Sequence, residues 1–202
     1  MEKVLAENAD RDVYLRHAGM TSLLRCASPE QIAGLKSNAS ASVRLMAVVA
    51  LRRLASPALA DFLSDANPRV SDEAIRSISE APAPAARPAL NAMLDAYAGA
   101  TAPRPLPPMI ARRLIHCAFR TGGKENAARL VTVASGKALE IGQRLEALRL
   151  LLQWAKPAPV DQCLGKWDPL PDRDLAEIVP TLEAGLPALL AADEVLLGPT
   201  LL

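Results

Sequence analysis

The sequence predicts an all-α fold, an α-α superhelix (solenoid) of about five helical hairpins. Four prolines each lie fourteen residues after the first residue of an apolar stripe with helical spacing. The first three stripes begin 28 and then 27 residues apart, and an Asp or Asn precedes each by five positions. Repetition at this period is typical of helical solenoids. The prolines are Pro29, Pro57, Pro84 and Pro157, and the stripes begin at Leu15, Val43, Val70 and Gln143.

The first two repeats, roughly residues 10–37 and 38–64, follow one template. In the second, Ser40 and Ser42 precede the helix, and Ser56-Pro57 ends it and starts a shorter partner. Cys26 has the same position in the first repeat as Leu54 in the second, which predicts that Cys26 belongs to the core. The stripe of the second repeat consists of Val43, Met46, Ala47, Ala50, Leu51 and Leu54.

The remaining repeats cover roughly residues 65–98, 106–135 and 138–192, so the whole chain is predicted to be one solenoid. Gly122-Gly123 is expected to be a turn between the helices of the fourth repeat, and residues 157–171 a Pro-rich loop that contains Trp167. The segment from 193 to Leu202 is apolar. Since terminal repeats need a polar outer face, we expect this segment to mediate self-association.

Composition bounds the function only loosely. Half of the residues are apolar and 3% are aromatic, so Ala, Leu and Val must build the core. The formal net charge of +1 is no signature of a nucleic-acid-binding protein. The N-terminal residues do not read as a signal peptide, and no apolar stretch reaches the length of a membrane span. The three cysteines are widely spaced and show no metal or haem motif.

The pattern Val43-Arg44-x-x-Ala47-x-x-Ala50-Leu51, preceded by Asn38 and closed by Pro57, resembles the HEAT repeat. Longer strings are similar to the HEAT segment of large bacterial quinoprotein dehydrogenase-like proteins. In that group a β-propeller precedes the HEAT array and a c-type cytochrome domain follows it. The strings include Leu15-Arg16-His17-Ala18-Gly19, Phe62-Leu63-Ser64-Asp65, Cys117-Ala118-Phe119-Arg120-Thr121-Gly122 and Trp154-Ala155-Lys156-Pro157.

The resemblance implies a periplasmic accessory segment, a spacer or docking surface within a larger redox protein. The chain has no CxxCH for haem and no β-rich propeller pattern, so we expect it to be non-catalytic and without a cofactor. A free-standing protein-binding module is the alternative. A DNA glycosylase of HEAT-like fold is a third possibility, although it would need a basic groove with aromatic residues near a carboxylate.

The only candidate interaction residues are Arg16, Arg44 and Arg144, which share the position after the stripe start. They could form a basic ladder that binds an acidic partner, or each could bond to carboxylates or carbonyls of a neighbouring repeat; the second interpretation is favoured. His17 and His116 are expected to be structural, because adjacent helical residues such as His116 and Cys117 point about 100° apart. Cys163, in a loop, is expected to be the most exposed thiol.

Overall fold

The computed structural model describes residues 2–81, 83–97, 99 and 102–192. Its elements are helices, apart from one pair of two-residue strands, and the predicted all-α class is therefore confirmed. The chain divides into two compact units, Met1–Leu90 and Asn91–Leu202, called here the N-terminal and C-terminal units. A single solenoid over residues 1–202 stays a prediction. The predicted self-association segment, 193–202, lies outside the described residues.

The N-terminal unit begins with a helix that the repeat pattern did not predict. This helix buries only Leu5, so it has no apolar stripe to reveal it. Prolines 29, 57, 68 and 84 each begin a helical segment, where their missing N–H would be unpaired in any case. The helices are α1 Glu2–Asn8, α2 Val13–Cys26, α3 Pro29–Gly34, α4 Ala41–Arg53 and α5 Pro68–Glu80, with 3₁₀ segments Leu35–Ser37, Pro57–Phe62 and Pro84–Ala86.

Helix α4 is the centre of this unit and packs against both α2 and α5. Its predicted stripe is fully buried from Val43 to Leu51. The stripe ends there, because Leu54 follows the last helical residue and is 41% exposed. Cys26 occupies the equivalent position, at the end of α2, and is exposed. The prediction that Cys26 is a core residue is therefore wrong, because an apolar stripe in the sequence does not show which helix faces are covered.

The C-terminal unit is built on α7, α8 and α9, which pack against one another, with α10 against α8. The predicted turn at Gly122-Gly123 is confirmed: both residues have positive φ (76° and 82°), which glycine adopts at little steric cost. Short helix α6, Arg87–Ala92, spans the division between the units. The others are α7 Pro108–Thr121, α8 Lys124–Ser135, α9 Ile141–Leu152 and α10 Val179–Leu190, with 3₁₀ segments Met93–Tyr97 and Leu175–Glu177.

The segment predicted as a loop contains a short hairpin. Strand β1, Val160–Asp161, pairs antiparallel with β2, Lys166–Trp167, so that Val160 lies opposite Trp167. Strands of two residues are too short to show the alternation that identifies a strand in sequence. Among the described helices, none combines the length and the hydropathy that crossing a membrane requires.

The contact between α10 and α8 depends on Gly185, because a β-carbon there would overlap a methyl group of Val131. We expect Gly185→Ala to lower the free energy of unfolding by about 1–3 kcal/mol, since stiff, branched Val131 cannot move aside freely. Gly142 in α9 is the matched control: its added β-carbon would meet nothing within 4 Å. Gly142→Ala should raise stability by about 0.4–1 kcal/mol in the same urea titration. Equal effects at the two sites would contradict this packing.

Candidate interaction surface

The three aligned arginines bond to acceptors within their own units. Arg16 Nη1 lies 2.8 and 2.9 Å from the two carboxylate oxygens of Asp10. Arg44 forms a two-point ion pair with Asp65, at 2.7 Å from Nε and 2.9 Å from Nη2. The buried side chain of Arg144 donates from Nε to the carbonyl of Ala134 at 3.3 Å. Asp65 and Ala134 belong to repeats next to those of their arginines, as in the favoured interpretation, whereas Asp10 belongs to the same repeat as Arg16. An interaction ladder of the three arginines stays a prediction.

The arrangement of these pairs follows from one substitution in the repeat. The third repeat has Ser71 where the first two have arginine, so Asp65 has no arginine at the aligned position of its own repeat. Arg44 of the preceding repeat takes that place and joins the start of α4 to the loop before α5. The Arg44 guanidinium holds the pKa of Asp65 below its usual range, against the opposing effect of burial.

An open cavity of about 190 Å³ lies beside the first of these pairs. Asp10 and Arg69 both line it, and they form an ion pair at 2.6 Å. Ala9, Leu45 and Val70 contribute apolar walls. The charged groups that line the cavity, Asp10 and Arg69, therefore neutralise each other.

In the C-terminal unit, α7 and α9 are joined through Glu146. Its Oε1 lies 2.7 Å from Arg112 Nε and 2.7 Å from Nε2 of buried His116. Burial raises the pKa of Glu146, but the bonds from His116 and Arg112 outweigh burial and hold that pKa below its usual range. The ionised Glu146 carboxylate thus accepts hydrogen bonds from Arg112 and His116. These bonds connect α9 to α7, as expected of a structural contact between helices.

The nearby thiol gives no sign of activation. Cys163 is half-buried and Cys26 is exposed. The prediction that Cys163 is the most exposed thiol is therefore wrong. Burial raises the pKa of Cys163, which leaves it protonated and a poor nucleophile at neutral pH. Within the described ranges, no group of three or more His, Cys, Asp or Glu side chains is placed to hold a metal ion.

The hairpin of β1 and β2 is fixed to α7 by two arginines. Arg112 Nη2 donates to the carbonyl of Gln162 at 2.8 Å, and Arg120 pairs with both Asp161 and Asp168. Asp161 also accepts the backbone N–H groups of Cys163 and Leu164, which closes the turn. The hairpin therefore has a defined conformation although its strands are only two residues long.

This fixed hairpin presents an apolar surface to solvent. Trp167 is 70% exposed, and Val160 opposite it and Leu164 in the turn are each more than one-third exposed. We call these three residues the hairpin surface. Trp and Arg are the residues most enriched at energetically dominant positions of protein interfaces. An exposed tryptophan on an anchored backbone can bind a partner with little loss of backbone conformational entropy.

The second tryptophan has the opposite environment. Trp154 is fully buried, with its ring 5.8 Å from that of Phe119 in an edge-to-face arrangement. The guanidinium carbon of Arg173 lies 4.7 Å from the Trp154 ring and 4.9 Å from that of Phe119. Trp154 is thus a core residue in this structure, and it has no face free to stack on an extruded base. No periodic apolar pattern in the sequence marked Trp167 or its anchors Arg112 and Arg120.

No family model, curated protein or solved structure matches this chain. The function must therefore be argued from its own residues, of which the hairpin surface is the most distinctive group.

Proposed function

We propose that this chain is a non-catalytic HEAT-type helical repeat module that serves as a docking surface for another protein domain. The observation that carries the proposal is Trp167, 70% exposed on a hairpin that Arg112 and Arg120 hold to α7. An exposed tryptophan on an anchored backbone favours binding, because little further ordering is needed on association. The charged groups near it, including Glu146, are engaged in internal ion pairs, which favours a structural role for them over a catalytic one.

We further propose, on the resemblance in sequence, that this module belongs to a larger periplasmic redox protein and serves there as a spacer or docking surface between a β-propeller and a c-type cytochrome domain. Sequencing the DNA that flanks the codons for residues 1–202 tests this context directly. We expect an open reading frame with a propeller upstream and a CxxCH motif downstream. A frame that encodes neither would overturn the redox context and favour the alternative, a free-standing protein-binding module.

The docking role itself is tested at Trp167. The chain is titrated against each neighbouring domain encoded in the frame, or against a partner recovered by cross-linking if the frame has none. We expect Trp167→Ala to weaken binding about tenfold or more, as is usual for a tryptophan at the centre of an interface. Leu152, 66% exposed on α9, is the control, and Leu152→Ala should leave the affinity unchanged. Equal affinities of wild type and Trp167→Ala would contradict a role for the hairpin surface.

A further inference from the structure

Helix α2 has the apolar stripe of the repeat, but the stripe is partly exposed there, whereas the equivalent stripe of α4 is buried. Val43, Met46 and Ala50 of α4 are fully buried. Their counterparts on α2 are Leu15, which is 40% exposed, Ala18, which is exposed, and Ser22, which is half-buried. With exposed Cys26 they form a line at i, i+3, i+7 and i+11. We call these four residues the α2 stripe.

The difference has a simple origin in the packing. Helix α4 has a full-length helix on either side, α2 and α5. Helix α2 has α4 on one side, and its other substantial contact among the described elements is with the seven-residue helix α1, which covers Gly19 through Leu5. The α2 stripe is therefore an apolar helix face of the kind that the repeat normally buries against another helix.

Helix α10 offers a face of the same length. Its inner side packs on α8 through Gly185. On its outer side, Val179, Leu186 and Leu190 are 37%, 50% and 58% exposed. Exposed Glu183 lies in the same line, so the four residues are spaced at i, i+4, i+7 and i+11. We call them the α10 stripe. Each stripe spans twelve residues, so its first and last residues are about 16 Å apart at the helical rise.

The two stripes are also complementary in charge. Helix α2 contains arginines and no acidic residue, whereas α10 contains Glu183 and no basic residue. Arg25, next to the α2 stripe, and Glu183 are both exposed. In the described part of the chain neither takes part in an ion pair. Contact between the stripes would bring Arg25, at the edge of the apolar interface, close to Glu183, which lies within it. Such complementary charges fix the position of one helix along the other.

We propose that the chain self-associates head to tail, with the α2 stripe of one copy packed against the α10 stripe of a second copy. The contact is heterologous, because the two copies contribute different faces. In a pair joined by one such contact, each copy keeps one unused stripe, to which further copies can add as concentration rises. The partner of this surface is thus a second copy of the chain, in addition to any domain that docks at the hairpin surface.

Sedimentation velocity of the full chain over a range of concentrations tests the proposal. We expect species larger than a dimer for the wild type, and monomers for both Leu15→Asp and Leu186→Asp, each of which disables one stripe. An equimolar mixture of the two variants should give a heterodimer that grows no further, because each variant retains the stripe that the other lacks. Leu152→Asp, on an exposed leucine outside both stripes, should assemble like the wild type.

Charge reversal gives a second test that does not touch the apolar residues. Arg25→Glu and Glu183→Arg should each weaken association about fivefold, and the double variant should recover most of that loss. A wild type that stays monomeric at high micromolar concentration would overturn the proposal. So would assembly of Leu15→Asp identical to that of the wild type, because it would show association through α10 alone, and so would a mixture of the two variants that remains monomeric.

Discussion

Trp154→Ala is expected to lower the free energy of unfolding of the C-terminal unit by about 3–5 kcal/mol. Trp154 is the largest fully buried side chain, and its removal leaves a cavity against Phe119 and uncovers one face of the Arg173 guanidinium. Urea unfolding followed by far-ultraviolet circular dichroism measures the loss. A loss of this size would show that Trp154 is part of the packed core, whereas a small loss would be expected of a tryptophan that only lies near a loop.

Trp167→Ala is the matched control, because it removes the same side chain from an exposed position. Its effect on stability should stay within about 0.5 kcal/mol. Trp154→Phe should cost much less than Trp154→Ala. Phenylalanine keeps most of the ring contact and removes the indole N–H, which has no acceptor among the described residues. Equal losses for Trp154→Ala and Trp167→Ala would contradict the assignment of Trp154 to the core.

Asp65→Ala is expected to destabilise the N-terminal unit by about 2–4 kcal/mol. It leaves the largely buried guanidinium of Arg44 without its carboxylate and removes the acceptor for the backbone N–H of Asn67, just before α5. Asp61→Ala breaks the exposed pair of Asp61 with Lys36 instead, and it should cost less than about 1 kcal/mol. Urea unfolding of the two variants gives the comparison, and similar losses would show that the Arg44–Asp65 pair contributes no more than a surface pair.

The Arg44–Asp65 pair makes the free energy of unfolding depend on pH in a predictable direction. The pKa of Asp65 is lowered in the folded state, so its contribution is present above the unfolded value of about 3.9 and is lost as pH falls through the lower folded value. Glu146, whose pKa is also lowered, acts in the same direction. Unfolding free energies of the wild type should therefore fall between about pH 5 and pH 2. Asp65→Ala should show a shallower fall, and a parallel curve would contradict the assignment.

The sequence predicted the helices well where burial repeats. The α4 stripe from Val43 to Leu51 and the turn at Gly122-Gly123 were both placed correctly, because periodic burial and positive φ leave direct signals in residue type. Helix α1 had too few apolar residues to give such a signal. Cys26 was misplaced because the template does not show that this face of α2 lacks the cover that α4 has.

The hairpin surface could not be predicted, since it depends on contacts between residues far apart in sequence. Arg112 and Arg120 belong to α7, and their partners in the hairpin lie about fifty positions later. Nothing in the local composition of residues 157–171 indicates which helix will hold them. The exposure of Trp167 and the burial of Trp154 are likewise set by tertiary packing.

The separation between Arg120 and Asp168, 48 residues, also bears on the order in which the molecule folds. Helices that contact their sequence neighbours, such as α7 with α8 and α8 with α9, close short loops and can form early. The bonds between α7 and the hairpin close a loop that contains both α8 and α9, so they form after those helices have packed. The hairpin surface is then complete only when the C-terminal unit is fully folded, and a partner that binds Trp167 selects finished molecules over folding intermediates.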